Sequence, residues 1–305
     1  MLQKFFQGLS AFPLTPVTAD GVVNTDMLGQ MLERLVKAGV ASIGLLGSTG
    51  TYAYLDRDDR ARVLATAVEV VGGRVPLIVG IGTLRTDWSK QYARDAERAG
   101  ADGLLLAPVS YTPLLPDEVA LHFEAVANET ALPLCIYNNP GTTHFKFEPE
   151  LLARIAALKN VVAVKMPAPA DGDFAGEINR LQKMTSPDFA IGCSGDWNAL
   201  PALLAGAAAW YSVAGGLLPE PALQLTRAAQ GGNVAEAEGW NRAFEPLWDL
   251  FRKYSSLRVM YAMADALALP AGQPPAPLMP IPDDARALVT AALDHLQNYT
   301  AGKAV

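Results

Sequence analysis

Apolar runs of five to seven residues alternate along the chain with longer segments whose apolar positions recur at helical spacing. The runs are LSAFPL (9–14), ASIGLL (41–46), PLIVGI (76–81), DGLLLA (102–107), LPLCIY (132–137), VVAVK (161–165), FAIGC (189–193) and AAAWYSV (207–213). Short and almost free of charge, they have the pattern of strands buried on both faces. Between them lie segments with start and stop signals for helices. Asn24 and Thr25 precede DMLGQMLERLVKAG, Asp56 precedes RDDRARVLATAVEVV, Asp87 precedes WSKQYARDAERAG and Pro116 precedes DEVALHFEAVANET. Side-chain oxygens at the start and a closing Gly satisfy the backbone groups that a helix leaves free at its ends. Eight strands alternating with eight helices predict an α/β fold, a parallel (β/α)8 TIM barrel. An open doubly wound sheet is the structural rival, but it does not usually need eight such regular units.

From about residue 233 the pattern changes. VAEAEGWNRAFEPLWDLFRK, SLRVMYAMADALAL and DDARALVTAALDHLQNY are three helical segments, with the Pro-rich LPAGQPPAPLMPIP before the last. The predicted organisation is therefore a barrel over residues 1–232 with a C-terminal three-helix extension over 233–305. Trp240, Phe244, Trp248 and Phe251 recur at helical spacing and are expected to pack rather than bind a ligand.

Half of the 305 residues are hydrophobic, enough for a substantial core. A formal charge of −7 without a basic cluster argues against nucleic acid and anionic membranes and leaves small molecules as expected partners. The opening MLQKFFQGLSAF lacks the succession of a signal peptide, and no stretch approaches an uninterrupted membrane span, so a cytoplasmic protein is expected. Cys135 and Cys193 have neither CxxC nor His spacing around them and are expected to be buried thiols rather than metal ligands or a disulfide.

In a barrel of this type the chemistry lies at the carboxyl ends of the strands. Four such ends are polar, Gly-rich or reactive: GSTGTY (47–52), YNNPGTTH (137–144), Lys165 and CSGDW (193–197). A lysine there is a chemical candidate because desolvation disfavours an ammonium, and the free amine is the form that attacks a carbonyl. It is equally a strand-end lysine that reaches solvent or pairs with a carboxylate. GSTGTY offers hydroxyls and backbone N–H groups suited to a carboxylate, or is simply a turn. Tyr137 is either a proton carrier or a rim aromatic. Nucleotide motifs are absent: GLLGSTG lacks G-x-G-x-x-G spacing, and no Lys follows Gly50.

Taken together, FPLTP, GSTGTYAYL, PVSYTPL, YNNPG, VK and SGD, in that order, resemble the dihydrodipicolinate synthase and N-acetylneuraminate lyase superfamily over essentially the whole chain. The resemblance implies a class I lyase without metal or other cofactor. Lys165 would form an imine with pyruvate or a related 2-oxo acid, and Tyr137 would shuttle protons. Ser48 and Thr49, with Gly47, would hold the substrate carboxylate, and the Ser48 and Thr49 hydroxyls would relay protons, Thr49 counting among the catalytic residues. It also implies a homo-oligomer, tetramer or dimer, in which a tyrosine is lent by a neighbouring subunit. Here Tyr111 stands one residue beyond that tyrosine's expected position. Gly192, Gly195 and Gly215 fall on matching rim loops, where they would let backbone approach the substrate or serve close packing. Where the synthase carries an arginine for a second carboxylate, this chain has Thr142, with His144 nearby as a weak substitute. Thr51 and Met166 stand where relatives often have Glu. The expected activity is aldol cleavage, condensation or dehydration of a hydroxylated 2-oxo acid. The alternatives are dihydrodipicolinate synthase itself and a barrel that binds a 2-oxo acid without turnover.

Overall fold

The computed structural model describes residues 4–18 and 20–303, so the first three residues of the segment read for a signal peptide lie outside it. Eight parallel strands close into a barrel in sequence order. These are β1 (Gly8–Ala11), β2 (Ser42–Leu45), β3 (Leu77–Gly80), β4 (Gly103–Leu106), β5 (Leu134–Tyr137), β6 (Val161–Met166), β7 (Ala190–Cys193) and β8 (Ala209–Ser212). Each expected run holds one strand, with β1 starting one residue before its run and β6 ending one residue after. The barrel helices are α1 (Thr25–Ala38), α2 (Arg57–Val71), α3 (Thr86–Ala99), α4 (Pro116–Ala127), α6 (Pro149–Ala156), α7 (Phe174–Met184), α8 (Ala199–Leu204) and α9 (Pro219–Gln230). A single extra turn, α5 (Pro140–Thr143), follows β5.

Helix starts follow the local chemistry. The Asn24 side chain accepts from Met27 N–H at the head of α1, and Asp56 accepts from Asp59 N–H at the head of α2. Gly39 and Gly100 end α1 and α3 in the left-handed region, at φ of 74° and 96°. At α3 the expectation needs correcting: the helix begins at Thr86 with Arg85 as its N-cap, and Asp87 sits inside the first turn. Its carboxylate is taken by the Arg85 guanidinium in a two-pronged pair, which leaves it no capping role.

Side chains alternate across each strand, so every strand feeds two cores. Leu134 and Ile136 of β5 and Val161 and Val164 of β6 face outward to the helices. Cys135 and Tyr137, and Ala163 of β6, face the interior beside Phe12 and Tyr211. Lys165 is next in the inward series after Ala163, and it pairs in register with Tyr137 on one side and Gly192 on the other.

The chain ends in α10 (Val234–Tyr254), α11 (Ser256–Ala266) and α12 (Asp283–Lys303). Their buried residues belong to the same outer core as the barrel helices. Phe244 stacks on Trp248 with centroids 4.6 Å apart, and Trp248 meets Trp210 of β8 edge-on. The aromatic stripe thus packs α10 onto the barrel. Cys135 and Cys193 are free and buried. Among the described residues no helix is long and apolar enough to cross a membrane.

Candidate active site

At the carboxyl ends of the strands lies a cavity of about 510 Å³. Ser48, Thr49, Tyr137, Thr142 and Lys165 all line it, brought together from two loops and two strands. Lys165 is 5% exposed, so it does not reach for bulk solvent. Its Nζ lies 4.1 Å from the centre of the Phe12 ring, 4.5 Å from that of Tyr137 and 5.7 Å from that of Tyr211. Ring faces attract a cation and exclude the water that would solvate it.

Asp196, the one carboxylate among the described lining residues, is committed elsewhere. It is 1% exposed and accepts from Trp210 Nε1 at 2.8 Å, Val213 N–H at 3.1 Å and Ala214 N–H at 2.9 Å. Burial pushes its carboxyl above the ordinary range, against the pull of these donors. Its work is to tie the loop after β7 to the loop after β8.

The Tyr137 phenol is buried at the cavity floor. Its oxygen lies 3.2 Å from Ser48 Oγ and accepts from Asn139 Nδ2 at 2.9 Å. Burial raises its pKa, but the Lys165 charge and the hydrogen bonds shared with Ser48, Asn139 and Thr142 outweigh burial and hold the phenol below its ordinary value. The Ser48 loop is itself held in a tense turn: Leu46 and Thr51 at its two ends both have φ of 53°, an uncommon value for side chains of their shape. Thr15 Oγ1 donates to Gly50 O at 2.8 Å, which anchors FPLTP under that loop.

Other expected residues stand apart. A Cβ on Gly47 would meet the Phe12 ring, and a Cβ on Gly192 would meet the Tyr211 ring. Gly215 N–H is bound to Ser212 Oγ at 2.8 Å. These glycines make room for neighbouring side chains, and none of the three forms the cavity wall. Gly195 does line the cavity. Tyr111 is 96% exposed on the loop after β4, outside the wall of its own chain's cavity. His144 is exposed, ends α5 at φ 56° and is likewise outside the wall. Met166 accepts from Asn138 Nδ2 through its sulfur at 3.5 Å, beside the strand rather than in the cavity.

Five contributors escaped sequence reasoning. Phe12 and Tyr211 looked like strand hydrophobics, and Asn139 looked like part of a turn. Ser255 and Ser256, at the junction of α10 and α11, bring the extension to the cavity rim, which no local pattern signals. Apart from Lys165, the described lining carries no cationic side chain; beyond the amine and the committed Asp196 its polar groups are hydroxyls and amides, set among aromatic and aliphatic side chains.

The profile of the dihydrodipicolinate synthetase family matches residues 5–296, nearly the full chain. The chain belongs to that family. Among similar proteins, the 4-hydroxy-tetrahydrodipicolinate synthase of Neisseria gonorrhoeae is 31% identical over 289 residues, covering 94% of this chain and 97% of its own length. That of Bacillus subtilis is 30% identical over 293 residues, covering 95% and 99%. A solved structure named dihydrodipicolinate synthase from Agrobacterium tumefaciens has 52% identity and a TM-score of 0.96, covering 97% of this chain and all of its own. Family membership agrees with the closed barrel and its helical extension.

Proposed function

We propose that this member of the dihydrodipicolinate synthetase family is a Schiff-base lyase that acts on pyruvate or a related 2-oxo acid through Lys165. The supporting observation is the pairing of a buried Lys165 with Tyr137 at the same level of the barrel interior, facing a cavity that carries several hydroxyl and amide groups. The free amine attacks the ketone carbon C2, and the carbonyl oxygen takes a proton. Loss of that oxygen as water then leaves a C=N bond to Lys165, and Tyr137 carries the protons between amine, carbinol and leaving water. The protonated imine draws electrons from the neighbouring carbon. An aldol bond there breaks or forms through the enamine, or a hydroxyl leaves as water. Ser48 and Thr49 hold the substrate carboxylate with hydroxyls and backbone N–H groups. In this reading residues 1–232 form the catalytic unit, and the helical extension over 233–305 completes the rim.

The preferred substrate is a hydroxylated 2-oxo acid such as a sugar-acid derivative. Thr142 stands at the rim where a second carboxylate would need a cation, and the distal lining of Ser194, Asn198, Ser255 and Ser256 suits a neutral hydroxylated chain. The synthase reaction is the second reading, favoured by the names of the relatives. A homo-oligomer fits the exposed Tyr111, which is free to reach a neighbouring copy.

Borohydride added with pyruvate should fix a mass increment on the peptide bearing Lys165 and none on Lys165→Ala. An unmodified wild type would remove the imine from the account. Mass spectrometry of products from hydroxylated 2-oxo acids, against pyruvate with aspartate semialdehyde, separates the two readings. Faster turnover of the semialdehyde would establish the synthase.

A further inference from the structure

We infer that Asn139 is a positioning residue for Tyr137, holding the phenol so that its proton faces Ser48 and the cavity. The inference rests on the catalytic reading of Lys165 and Tyr137 above. Asn139 occupies the N-cap position of α5, where an asparagine ordinarily turns its side chain back onto the first N–H groups of the helix. It makes no such cap. Its main-chain carbonyl takes the local bonds instead, accepting from Thr142 N–H and Thr143 N–H at 3.0 Å and from Thr143 Oγ1 at 2.9 Å. The side chain, released from the turn, donates Nδ2 to Tyr137 Oη at 2.9 Å.

A phenol has one proton to give and oxygen lone pairs to receive. With a lone pair occupied by Asn139, the proton points along the remaining directions, one of which leads to Ser48 Oγ at 3.2 Å. When that proton leaves, the resulting phenolate already has an N–H donor in place. A donor set before charge develops needs no rearrangement at the moment of transfer. Within one chain the phenol's hydrogen bonds come from the loops after β2 and β5: Ser48 and Asn139 at 3.2 and 2.9 Å, with the Thr142 hydroxyl beside them.

Pyruvate serves as the probe, with two readouts on the full-length protein. Borohydride trapping reports the imine, and exchange of the pyruvate methyl protons for deuterium, followed by proton NMR, reports proton transfer through the enamine. Asn139→Leu should slow exchange about tenfold, as loss of one hydrogen bond to a developing charge does, while the trapped fraction at saturating pyruvate falls far less. Asn139→Asp keeps the shape but sets a carboxylate against the phenol oxygen, and should slow exchange at least as much. In a Tyr137→Phe background, Asn139→Leu should add nothing further. Wild-type exchange in either single variant overturns the inference, as does multiplication of the two effects in the double variant. If wild type neither traps nor exchanges, the catalytic reading falls and this one with it.

Discussion

The Lys165 amine rests on the Phe12 ring, 4.1 Å from its centre, while that ring fills the space left by Gly44 and Gly47. The nucleophile's position is therefore set by two glycines on a different strand and loop. A side chain at either would push the ring toward the amine.

Gly44→Ala tests this coupling. The new Cβ falls on the far edge of the Phe12 ring, and overpacking of a filled core costs roughly 1–3 kcal/mol. The variant should unfold at lower denaturant concentration and form the pyruvate imine more slowly. Adding Phe12→Leu should recover much of the stability by relieving the clash. An unchanged midpoint and trapping rate in Gly44→Ala would show that the ring yields freely and does not set the amine.

The barrel was legible because each of its strands is buried on both faces and so reads as an unbroken apolar run. Helix caps were legible where the capping oxygen acts locally, as at Asn24 and Asp56, and misread at Asp87, where Arg85 competes for the carboxylate. Lys165 and Tyr137 could be picked out because polar groups closing apolar strands are rare. The glycines were harder, since a missing side chain does not say what fills its place. At Gly47 and Gly192 the occupants are the Phe12 and Tyr211 rings, which come from the neighbouring β1 end and β8 and are brought there only by the closing of the barrel. Asn139 was hidden because an asparagine before proline reads as part of a turn.

A separate prediction concerns pH and lies away from the cavity. His122 of α4 is 8% exposed, with Nδ1 2.9 Å from Thr86 Oγ1 and Nε2 buried without a partner. Burial lowers its pKa from 6.5 to about 4. A depressed histidine leaves stability intact above the unfolded value and removes it as pH falls from about 6.5 toward 4, because only the unfolded chain takes the proton readily. At about 1.4 kcal/mol per pH unit the loss reaches roughly 3 kcal/mol. Denaturant unfolding at pH 7 and pH 4 should show that difference shrinking in His122→Gln. An equal loss in wild type and variant would assign the acid sensitivity to other groups.

Thr142→Arg tests how the rim selects substrates. Thr142 lines the Lys165 cavity and is exposed, with Oγ1 donating to the nearby Asn139 carbonyl at 3.3 Å and close to the Tyr137 phenol, so a longer side chain there has open space ahead of it. A guanidinium at this position can form a charge-assisted pair with a carboxylate on the far end of a ligand. Such a bond contributes about 1.5–3 kcal/mol, or roughly tenfold or more in affinity. A five-carbon 2-oxo dicarboxylate should therefore compete with pyruvate for imine trapping about tenfold better in the variant than in wild type. Pyruvate itself, with no second carboxylate, should trap at an unchanged half-saturating concentration. Equal tightening of both ligands would mean that the arginine reaches the carboxylate beside Ser48 and Thr49, and that the rim at Thr142 does not distinguish the distal group.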